Sequence, residues 1–374
     1  MGWTEEQRAL HASARLLGEQ LRGEDHEEPT FDQGRWQRLS ASGLLGMPFD
    51  VEWGGGGRDL TSTMFAFEGL GFGCRDGGLA FCAATHVTSV GIPVCSFGSA
   101  ELKARYMPIV CSGREIGAHA ITEPDSGSDA LSLRTTAEAV GDRFVLSGIK
   151  SFVTNGPVAG LFVVYARTDP GKAFGLSAFL VERETPGLTV GPAKRTMGLG
   201  SAPLGDLVLD QCQVPRSNLI GSIGSGFLIL NHVLQWETLM SFIVNVGEMQ
   251  YRLERCVDFT RTRRQFGQPI SSFQSVANRV VEMKIATETA RKWLYDTGTK
   301  LERGEDVVID VAISKLLASE GNLESALNAM RIFGGRGYLG EYGIEQGMRD
   351  AVAGITYSGT SDIQRQRIAA MLGL

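Results

Sequence analysis

Between residues 116 and 222 the hydrophobic pattern of this 374-residue chain changes its period. Arg143-Phe144-Val145-Leu146, Leu161-Phe162-Val163-Val164-Tyr165, Leu176-Ser177-Ala178-Phe179-Leu180-Val181 and Leu204-Gly205-Asp206-Leu207-Val208-Leu209 are short runs rich in strand formers. Gly, Pro, Asn and Asp separate them. They predict an antiparallel β unit, a small barrel or sandwich. Both flanks follow helical spacing instead. Upstream, Thr4 and Gln7 form a capping box ahead of Leu10, Ala14, Leu17 and Leu21. A second helix carries Trp36, Leu39 and Leu44 and should end before Pro48, followed by a glycine loop at 54–57. Met64, Phe65, Phe67, Leu70 and Phe72 give the next helix a broad apolar face, and 79–94 reads as a buried segment. Ser99 should cap a helix through Leu102 and Tyr106 that stops near Pro108. Downstream, Phe273, Val276, Val280, Met283, Ala290 and Leu294 mark one stripe and 311–327 another, as in packed helical bundles. The chain therefore divides into 1–115, 116–222 and 223–374.

Composition narrows the class. Apolar residues at 43% and charged residues at 21% fit an ordinary globular protein, and a net charge of -6 argues against a polyanionic partner such as nucleic acid. No apolar run is expected to reach membrane-spanning length, and no secretory leader is evident. The six cysteines form no CxxC pair and the five histidines show no ligand spacing. A cytoplasmic protein with reduced thiols, and without a metal, is expected.

The chemistry is concentrated in four stretches. Ser358 and Gly359 lead through Thr360 into a helix carrying Ile363, Ile368 and Met371, a loop that offers hydroxyls and main-chain N–H groups. Residues 121–129 read Ile-Thr-Glu-Pro-Asp-Ser-Gly-Ser-Asp, a hydroxyl-rich turn. Residues 150–156 read Lys-Ser-Phe-Val-Thr-Asn-Gly, a strand end with an aromatic. Residues 263–270 read Arg-Arg-Gln-Phe-Gly-Gln-Pro-Ile, an arginine-rich helix end. Taken singly, each has a plain structural reading as a cap, a turn or a core aromatic.

In their order along the chain they resemble the signatures of the acyl-CoA dehydrogenase family, over essentially the whole chain. The resemblance implies an α+β fold: an N-terminal helical domain, a middle antiparallel β-barrel and a C-terminal four-helix bundle. It also implies bound FAD. The flavin ring would lie against His119, Ile121, Thr122, Ser128, Phe152 and Thr154. Phe152 stands where the family usually has Trp, keeping an aromatic wall. Arg263, Gln265, Phe266, Gln274, Arg331, Gly334 and Gly335 resemble the residues that reach the flavin of a neighbouring subunit, so a homodimer or homotetramer is implied. Arg331 replaces the usual Gln. Ser358, Thr360 and Asp362 match the C-terminal signature and are assigned to the cofactor as well.

That signature is usually Tyr-Glu-Gly-Thr-x-x-Ile-Gln, whose Glu removes the substrate α-proton in many members. Ser358 occupies its position, and a lone hydroxyl cannot take that proton at neutral pH. Glu237 lies 29 residues before Phe266, the offset of the alternative base in isovaleryl-type members, within a stretch otherwise free of charge. A solvated helix Glu is the competing reading. Coenzyme A users usually show Asp-x-x-Arg where this chain has Gln235 and Thr238. That departure resembles the branch acting on groups tethered to carrier proteins, which includes prolyl-carrier-protein dehydrogenases. The expected function is FAD-dependent α,β-dehydrogenation of an acyl or aminoacyl thioester on a carrier protein. An ordinary enzyme on coenzyme A thioesters and a catalytically silent flavoprotein are the alternatives.

Overall fold

The computed structural model describes residues 3–22, 30–169, 171–172 and 175–374. Six helices open the chain: α1 (Glu5–Gln20), α2 (Gln33–Ala41), α3 (Leu60–Cys74), α4 (Gly77–His86), α5 (Ile92–Phe97) and α6 (Ala100–Cys111). The capping box on α1 forms, with Gln7 N–H donating to Thr4 Oγ1 at 3.2 Å and the Gln7 side chain accepting from Thr4 N–H at 2.9 Å. α3 is buried on all sides because α1 packs on one face and the central bundle helix on another. Gly71 permits the second approach: a Cβ there would lie 2.3 Å from the carbonyl oxygen of Val244.

Two helix ends differ from expectation. Leu44 lies outside α2, in a separate 3-10 turn (Leu44–Gly46), because Gly43 breaks the helix with φ of 77°. α6 runs past Pro108 to Cys111. Only one helical bond is lost at the proline, and buried Met107, Val110 and Cys111 hold the last turn against the core. Between α4 and α5 the helix widens into a π turn (Val87–Gly91).

The middle unit is a sheet of β1 (Gly117–Ala120), β2 (Thr136–Val140), β3 (Arg143–Thr154), β4 (Leu161–Arg167), β5 (Leu176–Glu182), β6 (Leu188–Val190), β7 (Leu204–Pro215) and β8 (Leu219–Ile220). The strands run in the order β6-β7-β3-β2-β4-β5-β8, with β1 beside β4. It is mixed rather than wholly antiparallel: β1 pairs with β4 in parallel, as does the end of β2. β1 is delivered by α6 to an edge of β4 already committed to its antiparallel partner β5 on the other side.

The C-terminal unit holds α7 (Gly226–Thr262), α8 (Gln274–Glu302), α9 (Val308–Phe333), α10 (Ile344–Ala353) and α11 (Ser361–Met371). α7, α8 and α9 pack on one another, and α10 and α11 both pack on α9. Gly77–Phe97 and Gly226–Thr262 are each long and apolar enough to cross a membrane, against the expectation that no segment would be. Both lie mostly inside the protein, and core burial accounts for their composition.

Candidate active site

Glu237 projects from α7 into the junction of the three units and is 7% exposed. Gly226 starts α7 hard against β5, where a Cβ would lie 2.7 Å from the Leu176 carbonyl carbon. Ser358 Oγ donates to Glu237 Oε1 at 2.5 Å. Glu237 Oε2 lies 3.2 Å from Nε2 of His119, on β1, and has no aligned hydrogen-bond donor among the described residues. One carboxylate oxygen is thus tied and the other is open.

The loop that presents Ser358 is held from several sides. Ser358 and Gly359 have φ of 52° and 80°, a left-handed turn. The Gln364 amide donates to the carbonyls of Ser358 at 3.0 Å and Gly359 at 3.3 Å. Thr360 Oγ1 caps α11 by accepting from Ile363 N–H at 3.2 Å. Tyr357 packs between Phe81 and Phe242, with ring centroids 4.5 and 5.1 Å away. These contacts pin the loop on either side of Ser358, whose hydroxyl meets Glu237 on α7.

The 121–129 and 150–156 stretches are locked together by a buried pair. Glu123 accepts from Lys150 Nζ at 2.8 Å, from Thr135 N–H and Oγ1, and from Arg134 N–H. Burial opposes ionisation of Glu123, but Lys150 and these donors outweigh it and hold its carboxyl below the ordinary value. Lys150 Nζ also donates to Ile121 O at 3.0 Å, and Ser151 N–H donates to Thr122 O at 2.8 Å. Next to this lock the pairing of β3 with β7 shifts register between Lys150 and Val153. Phe152 is turned outward there, with φ of 56° and 59% of its surface exposed. Asn155 anchors the end of β3 by donating to Cys82 O and Gly117 O, both at 3.1 Å.

A flat, outward aromatic at a bulge suits a planar heterocycle. Lys194 Nζ lies 5.3 Å from its ring centroid, half-buried Thr154 follows it on β3, and Nδ1 of His119 on β1 is buried without a hydrogen-bond partner among the described residues. These residues fit a flavin ring. Ser128 is exposed in the 121–129 stretch, whereas Ile121 and Thr122 are half-buried.

The second set of expected cofactor residues gathers elsewhere. Arg263 ends α7, and a two-stranded ribbon (Arg264–Gln265 with Gln268–Pro269) presents Phe266 with φ of 50° and 92% exposure. Exposed Gln274 starts α8 beside it. Phe259 stacks on Phe333 at 4.1 Å and brings the end of α9, with Arg331, Gly334 and Gly335, to the same end of the bundle. Arg263 is 26 residues along α7 from Glu237, about 39 Å at the rise of an α-helix. Within one chain the two sets stay apart. Arg331 meanwhile pairs with Glu324 at 3.1 Å, and Asp362 with Arg365 at 3.3 Å.

Two neighbours of Glu237 were not legible as such. His119 is an expected flavin contact, yet its ring faces the base. Tyr165 on β4 is raised in pKa by burial and by the charge of Glu237. Strand register across β1 and β4 makes both neighbours, and no local pattern announces it.

Profiles of three domains match the chain in order: acyl-CoA dehydrogenase N-terminal domain over residues 4–114, middle domain over 118–212 and C-terminal domain over 224–373. The L-prolyl-[peptidyl-carrier protein] dehydrogenase of Pseudomonas fluorescens is 40% identical over 365 residues, covering 96% of each chain. A protein of the same description from Serratia sp. is 38% identical, covering 91% of this chain and 88% of its own. Among solved structures, the prolyl acyl carrier protein oxidase AnaB superposes with a TM-score of 0.97 at 38% identity, over 100% of both chains. PigA with FAD and proline gives 0.96 at 34% identity, over 100% of this chain and 99% of that one.

Proposed function

Since the chain belongs to the acyl-CoA dehydrogenase family, we propose that it is an FAD-dependent dehydrogenase of acyl or aminoacyl thioesters held on a carrier protein, in a secondary-metabolite pathway. The observation that carries this is the buried Glu237 carboxylate facing Ser358, the loop position from which most relatives supply their base. Ser358 orients the carboxylate through Oε1, and Oε2 removes the α-proton. Burial keeps water from competing for that oxygen. The main chain beside Ser358 polarises the thioester carbonyl. FAD, when bound, supplies the acceptor for the β-hydride. Ile121, Thr122, Ser128, Phe152 and Thr154 hold its ring, and Thr360 and Asp362 stand on the same side. Arg263, Gln265, Phe266, Gln274, Arg331, Gly334 and Gly335 contribute from a second subunit.

Carrier attachment is supported by Gln235 and Thr238 replacing a charged pattern, and by relatives described as acting on carrier-bound prolyl groups. The same reading extends to finer features. Unit boundaries fall at 115/116 and 222/223, the sheet curls as a barrel, and α11 lies on α9 as the fourth bundle helix. The molecule is a cytoplasmic homodimer or homotetramer.

Anaerobic flavin bleaching tests the reading. A prolyl group on a carrier protein should reduce the flavin much faster than its coenzyme A ester. Equal or reversed rates would return the chain to ordinary coenzyme A chemistry. No bleaching by any thioester would mark a silent flavoprotein.

A further inference from the structure

Phe152 holds a backbone conformation, φ of 56°, that a bulky side chain rarely adopts. The reason lies across the bulge. Lys150 pairs with Leu207 and Val153 with Gly205, so Ser151 and Phe152 together face a single residue of β7, Asp206. Both bulged N–H groups leave the ladder. That of Ser151 goes to Thr122 O, and that of Phe152 goes to the Asp206 side chain, with Oδ1 accepting at 3.4 Å. Oδ2 of Asp206 meets Lys194 Nζ at 2.6 Å, and the same ammonium stands over the Phe152 ring. The three residues thus close a circuit, from the backbone of Phe152 through two side chains and back to its ring. Main-chain bonds fix the segment that carries the lysine: Gly191 N–H donates to Asp206 O and Lys194 N–H to Leu204 O, both at 2.8 Å.

Stability does not account for this arrangement. An aromatic that stays 59% exposed gains little from burial. The Lys194–Asp206 pair, with side chains 42% and 33% exposed, is of the kind that adds little to folding. Strained backbone kept in place by its neighbours is found where a fixed geometry is used. We infer that Asp206 and Lys194 are positioning residues for the flavin, a clamp that sets the plane of the Phe152 ring and so the tilt of the isoalloxazine lying on it. The ammonium covers one face of the ring and leaves the opposite face to the cofactor. A ring that is already fixed loses no rotational freedom when a planar ligand stacks on it, whereas a loose one does. Loss of the clamp should therefore show at the flavin before it shows in the fold.

The inference rests on the flavin reading of the site, and one experiment separates the two. Holoenzyme of wild type, Lys194→Met, Phe152→Leu and the double variant is diluted into flavin-free buffer, and released FAD is followed by its fluorescence. Lys194→Met should speed release about two- to fivefold, the range of an exposed cation–ring contact. It should also change the visible circular dichroism of the bound flavin, while the melting temperature of the flavin-free protein stays the same. Lys194→Arg, which keeps the cation, should behave as wild type. In the Phe152→Leu background Lys194→Met should alter neither release nor dichroism, because no ring is left to hold. Asp206→Asn keeps an acceptor for Phe152 N–H and should release flavin at a rate between those of wild type and Asp206→Ala; the reverse order overturns the role of Asp206. Release and dichroism unchanged in Lys194→Met, or changed equally with and without Phe152, overturn the clamp and leave the flavin site standing. Slower release in Lys194→Met also overturns it, since the ammonium would then occupy the face that the flavin needs. Wild type that holds no FAD after reconstitution overturns the flavin reading, and the clamp with it.

Discussion

The two oxygens of Glu237 differ in their contacts, Oε1 bonded to Ser358 and Oε2 without an aligned donor among the described residues, and substitutions test the roles proposed for them. Glu237→Gln keeps the size and most hydrogen bonding but cannot accept a proton. Bound flavin should remain while its reduction by substrate falls by several orders of magnitude in stopped-flow measurement. Near-normal reduction would mean the base lies elsewhere. Ser358→Ala leaves Oε1 without its donor, and loss of a bond to a charged group predicts a fall of about ten- to a hundredfold. Glu237→Gln combined with Ser358→Glu should recover part of the rate, because the two side chains touch. The sequence marks both residues as candidates, Glu237 for the proposed base and Ser358 for the position it usually occupies. Their contact across 121 residues was not legible there, since it depends on how the loop is pinned by Gln364 and Tyr357. The same limit explains His119, whose ring direction follows from strand pairing.

At the scale of elements, periodicity carried the long helices and turn chemistry carried their caps. Thr4, Ser99 and Thr360 each cap the helix expected of them. β1 was missed because Gly-Ala-His-Ala has none of the branched or aromatic residues that mark a strand, and pairing with β4 alone makes it one. The π turn is equally silent in sequence, since its wider spacing is imposed by the elements packed on it. The ribbon after α7 gives a prediction at this scale. It lies about 39 Å from Glu237 along the helix, which supports the proposal that its hold on the flavin is exerted on a second subunit. Arg263→Ala should weaken flavin retention by about 1.5–3 kcal/mol through a lost charge-assisted bond. Flavin content after repeated desalting, measured alongside the melting temperature of the flavin-free protein, checks it. Unchanged retention would leave Arg263 as the end of α7 and nothing more.

At the scale of the molecule, the three units meet a second time, at the far end of α4 from the π turn. The carboxylates of Glu248 on α7 and Asp350 on α10 converge over Gly77, where a Cβ would lie 2.7 Å from one and 3.2 Å from the other. Asp350 accepts from Leu199 N–H at 2.6 Å, which brings in the sheet unit, and Asp76 accepts from Arg35 and Ser201, both at 2.7 Å. Burial first, then the charge of Asp350, pushes Glu248 up to about 8 against the opposing pull of Arg252. Burial likewise raises Asp350 to about 6. A carboxyl whose folded value is raised binds more protons in the folded state than in the unfolded one. Its contribution to stability is complete below the ordinary carboxylate range and is lost as pH climbs through the raised value. For this junction the loss should begin near the ordinary carboxylate values of 3.8 and 4.5 and be complete somewhat above about 8, with Asp350 responsible for the lower part. Relative to Glu248→Gln, the wild-type melting temperature should therefore fall between pH 6 and 8.5. Glu248→Gln removes the titration while keeping the shape, so its melting curve should be flatter over that interval and should lie above wild type at pH 8.5. A variant with the same slope as wild type across the interval would show that Glu248 is ionised in the folded protein throughout.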